Sequence, residues 1–268
     1  MIKANSETHD SPSQACWHHA GMLVWPPFAL AAGRVLWALV LLACAGPWHP
    51  AAAQTDAAPG PPWQWRYTDP DRGTQVWLQD RGDLPPAFRA STRVKCRLSS
   101  LVALLLDRSA MPEWVYRTRS VRSLHQEGPT QGVSMVVTAM PWPLDDREAV
   151  VSWQLFQSPT TGVVTIRGGH VEPAGQPWLP APAPGRVRMP SFGSQWTFAP
   201  VAGAPGEVDV RFDGHGDPGG NLALPVLREF VHAAIWEAPL QTVNALRQMV
   251  QRPAYRDAVL PFIAEPAP

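Results

Sequence analysis

The stretch MPWPLDDRE, residues 140–148, joins two segments whose apolar and polar side chains alternate as they do in β-strands. The first segment covers residues 133–139 and the second covers residues 149–156. Pro141 and Pro143 must end the first strand, because proline lacks a backbone donor and fixes φ. The pattern therefore predicts a rigid loop between two strands, with an indole held between two prolines.

A tryptophan between prolines, followed by paired acids and an arginine, resembles the signature of START domains, the steroidogenic-acute-regulatory-related lipid-transfer family. Other segments resemble the same family in the same order, namely residues 107–114, 186–200, 217–225 and 239–247. The resemblance runs over residues 63–255. It implies an α+β helix-grip fold, in which a curved antiparallel sheet wraps around a long C-terminal helix and encloses an apolar ligand.

The periodicity of the chain predicts the same mixture of elements. Leucines at helical spacing in residues 98–107 indicate a short helix with Ser99 or Ser100 as its N-cap. An apolar stripe indicates a long helix over residues 224–252, with a kink or break at Pro239. A second short helix or a turn is expected at residues 111–114. Nine strands are expected at residues 75–79, 89–97, 115–127, 132–139, 147–156, 163–170, 186–192, 195–198 and 207–213.

The N-terminal residues 1–53 have the order of a secretory leader. Arg34 precedes an apolar run at residues 35–45, which is too short to span a bilayer core of about 30 Å as a helix. Small residues at 51–53 suit cleavage before Gln54. We therefore predict that the protein is exported to the periplasm or secreted.

Two alternatives concern the same leader. Translation can begin at Met22, which would shorten a long polar n-region, and Cys44 follows a sequence that resembles a bacterial lipobox. In either case we predict a Pro/Ala-rich linker at residues 54–62, a START-like lipid-binding domain at residues 63–255 and a Pro-rich tail at residues 256–268.

Charge and cysteine content exclude several classes of function. The chain has 22 Lys and Arg residues against 22 Asp and Glu residues, and no basic stripe with interleaved aromatics. Nucleic acid is therefore not an expected partner, whereas transient contact with a membrane is compatible with this balance. Cys96 is the one cysteine after the predicted leader, so packing, and not an intramolecular disulfide, must stabilise the mature fold.

A carrier of apolar molecules needs an apolar cavity with few polar groups, and its ligand is bound mainly by burial. We expect Trp142 near the cavity opening and the apolar stripe of the last helix above the cavity. Arg147, beside Asp145 and Asp146, either orients a polar ligand head or ties the loop down through an ion pair. The candidate ligand-binding residues, whose apolar members can equally be ordinary core, are Trp114, Met140, Trp142, Arg147, Trp153, Trp196, Phe198, Val231 and Ile235.

The resemblance also implies one difference from sterol-binding members of the family. Those members carry a buried acid and a buried base on the strands that flank the loop. The corresponding positions here are Ser134 and Trp153, and neither side chain ionises in that role. The resemblance therefore implies either a ligand other than a sterol or a different polar contact.

Catalytic and metal-binding motifs are not found in the sequence. It has no nucleophile elbow, phosphate loop, dinucleotide fingerprint or paired-cysteine motif, and residues 213–217 fit a glycine-rich turn better than a cation site. We expect no cofactor and no metal. The sequence thus predicts binding and transport of a lipid or other hydrophobic molecule. The alternatives are a cyclase- or aromatase-like enzyme acting on an apolar substrate, and an envelope interaction protein with a collapsed cavity.

Overall fold

The computed structural model describes residues 61–171, 179–220 and 225–266. The predicted leader, the alternative start at Met22 and the lipobox cysteine Cys44 lie outside the described residues, as does most of the predicted linker. No helix within the described ranges is both long enough and apolar enough to span a membrane.

The described strands form one sheet of ten strands. In chain order they are β1 (Gln64–Thr68), β2 (Gln75–Arg81), β3 (Leu84–Lys95), β4 (Thr118–Glu127), β5 (Gln131–Thr138), β6 (Asp146–Gln157), β7 (Val164–His170), β8 (Arg186–Arg188), β9 (Ser191–Pro200) and β10 (Glu207–Asp217). The order across the sheet is β1-β2-β3-β10-β9-β7-β6-β5-β4, with antiparallel neighbours throughout. The short strand β8 pairs in parallel with β6.

Alternation along the central strands gives the sheet its buried face. In β7, Val164 and Ile166 are buried on either side of the partly exposed Thr165, and Trp196 and Phe198 repeat this pattern in β9. Side chains two residues apart in a strand point to the same face. Each large apolar side chain buried in this way stabilises the fold by roughly 1.5–3 kcal/mol.

Four helices accompany the sheet: α1 (Leu98–Leu106), α2 (Met111–Trp114), α3 (Pro225–Met249) and α4 (Pro253–Arg256). The long helix α3 contacts β2, β3 and α2. Of the kink or break predicted at Pro239, the break is wrong, because α3 continues through this buried proline, and the kink stays a prediction. The turns beyond the proline are held by Val243 and Leu246, which are fully buried in the core. The predicted α+β architecture, an antiparallel sheet with a long C-terminal helix, is confirmed.

The start of α1 differs from the prediction. The N-cap residue is Arg97, which makes no side-chain cap hydrogen bond, so the predicted cap at Ser99 or Ser100 is wrong. The carboxylate of Glu265 instead accepts hydrogen bonds from the backbone N–H groups of Leu98 (3.0 Å) and Ser99 (2.8 Å). A negative carboxylate at the first turn satisfies free donors and complements the helix dipole. The C-terminal segment therefore supplies the cap that the local sequence lacks.

The glycine-rich residues 213–217 also differ from the prediction, because they extend β10 rather than form a turn. Gly214 pairs with Phe88 in β3 and with Ser194 in β9. A Cβ atom at Gly214 would lie 2.3 Å from the ring of Phe88. The glycine is thus needed to accommodate a neighbouring aromatic side chain, not to reverse the chain.

Candidate ligand-binding site

A pocket of about 160 Å³ lies between the sheet and the α1–α2 segment, residues 98–114. Side chains from α1, α2 and six strands line it, and most of them are apolar. The lining residues are Leu105, Leu106, Arg108, Met111, Trp114, Val115, Thr118, Val121, Ser134, Val136, Val151, Trp153, Ile166, Gly168, Phe192, Ser194, Trp196 and Phe212. Such a surface suits an apolar molecule with few polar atoms.

Aromatic rings form one wall of this pocket. Trp196 and Phe212 are cross-strand partners in β9 and β10, and their rings stack with centroids 4.1 Å apart. Trp114 meets Trp196 edge to face at 6.0 Å. Both tryptophans are buried, so neighbouring side chains fix their positions. This wall is therefore a preformed apolar surface.

The opposite part of the lining carries the indole of Trp153. In β6 this residue stands opposite Gly132 of β5 and Gly168 of β7. A Cβ atom on Gly132 would lie 3.0 Å from Cζ2 of the indole. The glycine leaves the space that the large ring needs, and a bulkier residue at position 132 would displace Trp153.

Arg108 lies in the turn between α1 and α2. The carboxylate of Asp107 accepts hydrogen bonds from the backbone N–H groups of Ser109 (3.1 Å) and Ala110 (3.2 Å). Its other oxygen accepts a hydrogen bond of 2.8 Å from the Tyr255 hydroxyl. The carboxylate thus fixes the turn that places Arg108 at the pocket.

The electrostatics of this turn follow from those contacts. The hydrogen bond from the Ser109 hydroxyl, helped by the Tyr255 hydroxyl and two backbone N–H groups, holds the pKa of Asp107 below its usual value. Burial, together with the neighbouring Asp107, raises the pKa of Tyr255 to about 12. Burial lowers the pKa of the Arg108 guanidinium. Arg108 remains a cation at neutral pH, because arginine does not deprotonate in proteins.

The guanidinium of Arg108 is the charged group in the described lining of the pocket. Its Nε donates to the Ser134 hydroxyl at 3.0 Å, and Nη1 donates to the Leu106 carbonyl at 3.4 Å. The guanidinium carbon lies 4.5 Å from the centre of the Trp153 ring, which is a cation–π arrangement. Within the described ranges, no carboxylate comes within ion-pair distance of Arg108.

Three of the nine candidate residues lie together in this pocket: Trp114, Trp153 and Trp196. Phe198 shares the buried face of β9 with Trp196, but it packs in the hydrophobic core. Val231 and Ile235 line a separate surface groove between α3 and the β2–β3 hairpin. The predicted roof over the pocket is therefore not formed by these two residues.

Of the remaining candidates, Met140 and Trp142 belong to the β5–β6 loop, and Arg147 belongs to the start of β6. Met140 is buried, whereas Trp142 is 91% exposed, and neither residue lines the pocket. Arg147 is also buried, and its guanidinium donates to the backbone carbonyls of Asp145, Pro218 and Gly219. Of the two roles considered for Arg147, the structure shows it tying the loop down, through carbonyl oxygens rather than through an ion pair.

Sequence reasoning missed Arg108 as a pocket residue. Alternation in β5 places Ser134 and Val136 on one face, so an inward-facing Ser134 could have been found from the pattern. Arg108 follows the last leucine of a helix, where an arginine usually faces solvent. Nothing in the local sequence indicates that it turns towards the pocket.

Comparison with known proteins gives matches among solved structures. No protein-family model and no curated protein matches the chain. A STAR-related lipid transfer protein from Xanthomonas axonopodis is 26% identical, with a TM-score of 0.60 over 71% of this chain and 99% of that chain. Human StAR-related lipid transfer protein 5 is 18% identical, with a TM-score of 0.59 over 74% of this chain and 89% of that chain.

Human STARD10 is also similar in fold, at 15% identity and a TM-score of 0.58 over 71% of this chain and 74% of that chain. The three structures share the curved antiparallel sheet and C-terminal helix described above. The predicted helix-grip fold is thereby confirmed.

Proposed function

We propose that this chain, which folds as a START domain of the helix-grip superfamily, binds a lipid or other hydrophobic molecule in the pocket beneath α1 and α2 and carries it. The observation on which this proposal rests is the apolar lining of that pocket, with its aromatic wall of Trp114, Trp196 and Phe212. Burial of an apolar ligand there contributes roughly 25 cal/mol per Å² of surface removed from water.

The size of the pocket limits the kind of ligand. Its volume of about 160 Å³ is below the roughly 300–1,000 Å³ of pockets that hold drug-sized molecules. A molecule with one apolar chain or a small ring system therefore fits better than a lipid with two chains. Larger ligands would require the α1–α2 segment or the surrounding strands to move.

Carriage is better supported than the cyclase-like alternative. General acid–base catalysis needs a side chain that can exchange a proton near neutral pH. The described lining contains no His, Asp, Glu, Cys, Lys or Tyr. Ser134 likewise has no base beside it that could activate its hydroxyl, since its partner is the Arg108 cation. The polar groups of the pocket are thus suited to recognition.

The similarity to a lipid transfer protein and the leader sequence support two further parts of the proposal. The similar protein of Xanthomonas axonopodis is described as a lipid transfer protein, and by analogy we propose transfer for this chain. We also propose that the chain acts outside the cytoplasm, because residues 1–53 have the order of a secretory leader.

The binding proposal is tested by filling the pocket. Val121 in β4 lines it, whereas the next residue, Arg122, is exposed on the other face of the strand. We expect Val121→Trp to weaken binding of the neutral fluorescent probe N-phenyl-1-naphthylamine by about 10-fold or more, since the indole occupies the ligand space. Arg122→Trp adds the same ring outside the pocket and should bind as the wild type does.

Circular dichroism and thermal unfolding of both variants show whether the fold is retained. Equal probe affinity in folded Val121→Trp and in the wild type would mean that the probe binds elsewhere, and the proposal would fail. Absence of probe binding to the wild type would have the same consequence.

A further inference from the structure

We propose that the ligand ends in a single carboxylate, which Arg108 and Ser134 bind inside the pocket. This inference rests on the proposed function and specifies its ligand as a single-chain amphiphile with an acidic head. Its basis is one positively charged side chain, placed in a mostly apolar pocket, that lacks a counter-ion within the described chain.

Arg108 and Ser134 have hydrogen-bond donors that a ligand carboxylate could use. Two contacts of the Arg108 guanidinium are made within the described chain, to Ser134 and to Leu106. Its other N–H groups have no acceptor among the described residues. The Ser134 hydroxyl accepts from Arg108, so its own proton is free to be donated to a ligand oxygen.

Two further pocket residues carry unused donors. The indole N–H groups of Trp114 and Trp153 are buried and have no hydrogen-bond partner within the described part of the chain. Buried donors are normally paired, so a ligand oxygen that reaches either N–H group would satisfy a donor that the described chain leaves unpaired. Arg108 and the two indoles carry donors only, which suits an anionic head, and the hydroxyls of Thr118, Ser134 and Ser194 can donate as well as accept.

The nearest acid along the chain cannot serve as the counter-ion of Arg108. The carboxylate of Asp107 is engaged by Ser109, Ala110 and Tyr255. A guanidinium that is partly removed from water without a negative partner carries a desolvation cost. A ligand carboxylate would offset that cost when it binds, which favours the acid over an alcohol with the same chain.

The number and shape of the charges favour a carboxylate over a phosphate. Arg108 is the one cation in the described lining, and it neutralises one negative charge. A phosphate monoester carries a charge of about −1.5 to −2 at neutral pH. The planar guanidinium also matches the two oxygens of a carboxylate. Trp153 stacks on the guanidinium at 4.5 Å and holds its plane in place.

The test compares ligands that share one alkyl chain but differ in the head group. Binding of decanoate, decan-1-ol and decyl phosphate to the full chain is measured by displacement of N-phenyl-1-naphthylamine. We expect Arg108→Gln to weaken decanoate binding roughly 10- to 100-fold, as expected for loss of charge-assisted hydrogen bonds. Decan-1-ol affinity should change by less than about 3-fold. Arg122→Gln removes a cation from the exposed face of β4 and should change neither affinity.

The possible results distinguish a failure of the carboxylate inference from a failure of the binding proposal. If decan-1-ol and the probe bind but Arg108→Gln leaves the ratio of decanoate to decan-1-ol affinity unchanged, the carboxylate inference fails and the pocket still binds ligands. Tighter binding of decyl phosphate than of decanoate would also overturn it. If no compound binds the wild type, the proposed function itself fails.

Two further variants test the inference even if Arg108→Gln does not fold. Ser134→Ala removes the neighbouring hydroxyl and should lower the same affinity ratio by roughly 3- to 10-fold. Arg108→Lys keeps the charge but not the planar fork, so its ratio should lie between those of the wild type and Arg108→Gln. An unchanged ratio in folded Ser134→Ala and Arg108→Lys proteins would contradict the inference.

Discussion

The Nε of Arg147, at the start of β6, donates a hydrogen bond of 2.7 Å to the backbone carbonyl of Pro218, and this bond joins β6 to the segment before α3. Nη2 of the same side chain donates to the Gly219 carbonyl at 3.4 Å. The side chain is only 3% exposed, and burial lowers its pKa. Water therefore cannot readily replace these bonds.

Arg147→Ala should lower the free energy of unfolding by about 2–4 kcal/mol, because the carbonyls of the partly buried Pro218 and the buried Gly219 lose their donor. Urea unfolding followed by circular dichroism measures the loss. Arg119→Ala is the matched control, since Arg119 is exposed in its ion pair with Asp146 and should cost about 0–1 kcal/mol. Equal small losses in both variants would show that the Arg147 contacts do not hold the loop.

Asp107 should make stability depend on acid pH. Because its folded-state pKa is lowered, its contribution is present above about pH 4 and is lost as the pH falls through the folded-state value. Asp107→Asn should therefore cost about 1–3 kcal/mol near pH 6, and the difference from the wild type should shrink below about pH 4.

Unfolding by urea at a series of pH values tests this dependence. Asp83→Asn, which changes an exposed turn residue, serves as the control and should be close to the wild type throughout. A constant difference between Asp107→Asn and the wild type at every pH would show that ionisation of Asp107 does not matter to the fold.

We expect the exposed side chain of Trp142 to contact a membrane surface. It is 91% exposed on a loop whose turn is closed by a hydrogen bond of 2.9 Å from Leu144 N–H to the Pro141 carbonyl. Tryptophan is enriched at membrane–water interfaces. We expect Trp142→Ala to leave probe affinity unchanged, to alter stability by less than about 0.5 kcal/mol, and to slow the uptake of a fluorescent fatty acid from vesicles.

Trp65 provides a matched control, because it is also a tryptophan, is 63% exposed and lies on β1 rather than in the β5–β6 loop. Trp65→Ala should take up the fatty acid at the wild-type rate. A slower rate in both variants, or in neither, would count against a specific membrane contact of the β5–β6 loop.

Export stays a prediction from the sequence. If the leader is cleaved as expected, N-terminal sequencing of the protein from its own cells should begin at or near Gln54. A lipid adduct on Cys44 would instead support the lipoprotein alternative. Cytoplasmic protein that retains Met1 or Met22 would contradict export.

Local patterns predicted the elements of the fold because their causes are local. The two prolines around Trp142 remove backbone donors at the end of β5, and period-2 alternation in β7 and β9 indicates one buried face. The same alternation places Trp196 and Phe198 together. Trp196 lines the pocket, whereas Phe198 packs in the core. Alternation alone does not distinguish these two positions, because both side chains point to the same face of β9.

Features that depend on distant residues could not be predicted in this way. The cap of α1 comes from Glu265, more than 160 residues along the chain. Arg108 is positioned by Asp107, which is itself held by Tyr255 of α4. Each of these contacts requires the tertiary fold to exist first, so neither periodicity nor composition signals it.

Native mass spectrometry of the protein purified from its own cells tests the central claim most directly. We expect the wild type and Arg122→Trp to carry a bound molecule that organic solvent releases as a single-chain acid. The same adduct should be absent from folded Val121→Trp, whose pocket is filled. An adduct retained equally by Val121→Trp, or wild-type protein that is bare and takes up no apolar ligand, would contradict the account.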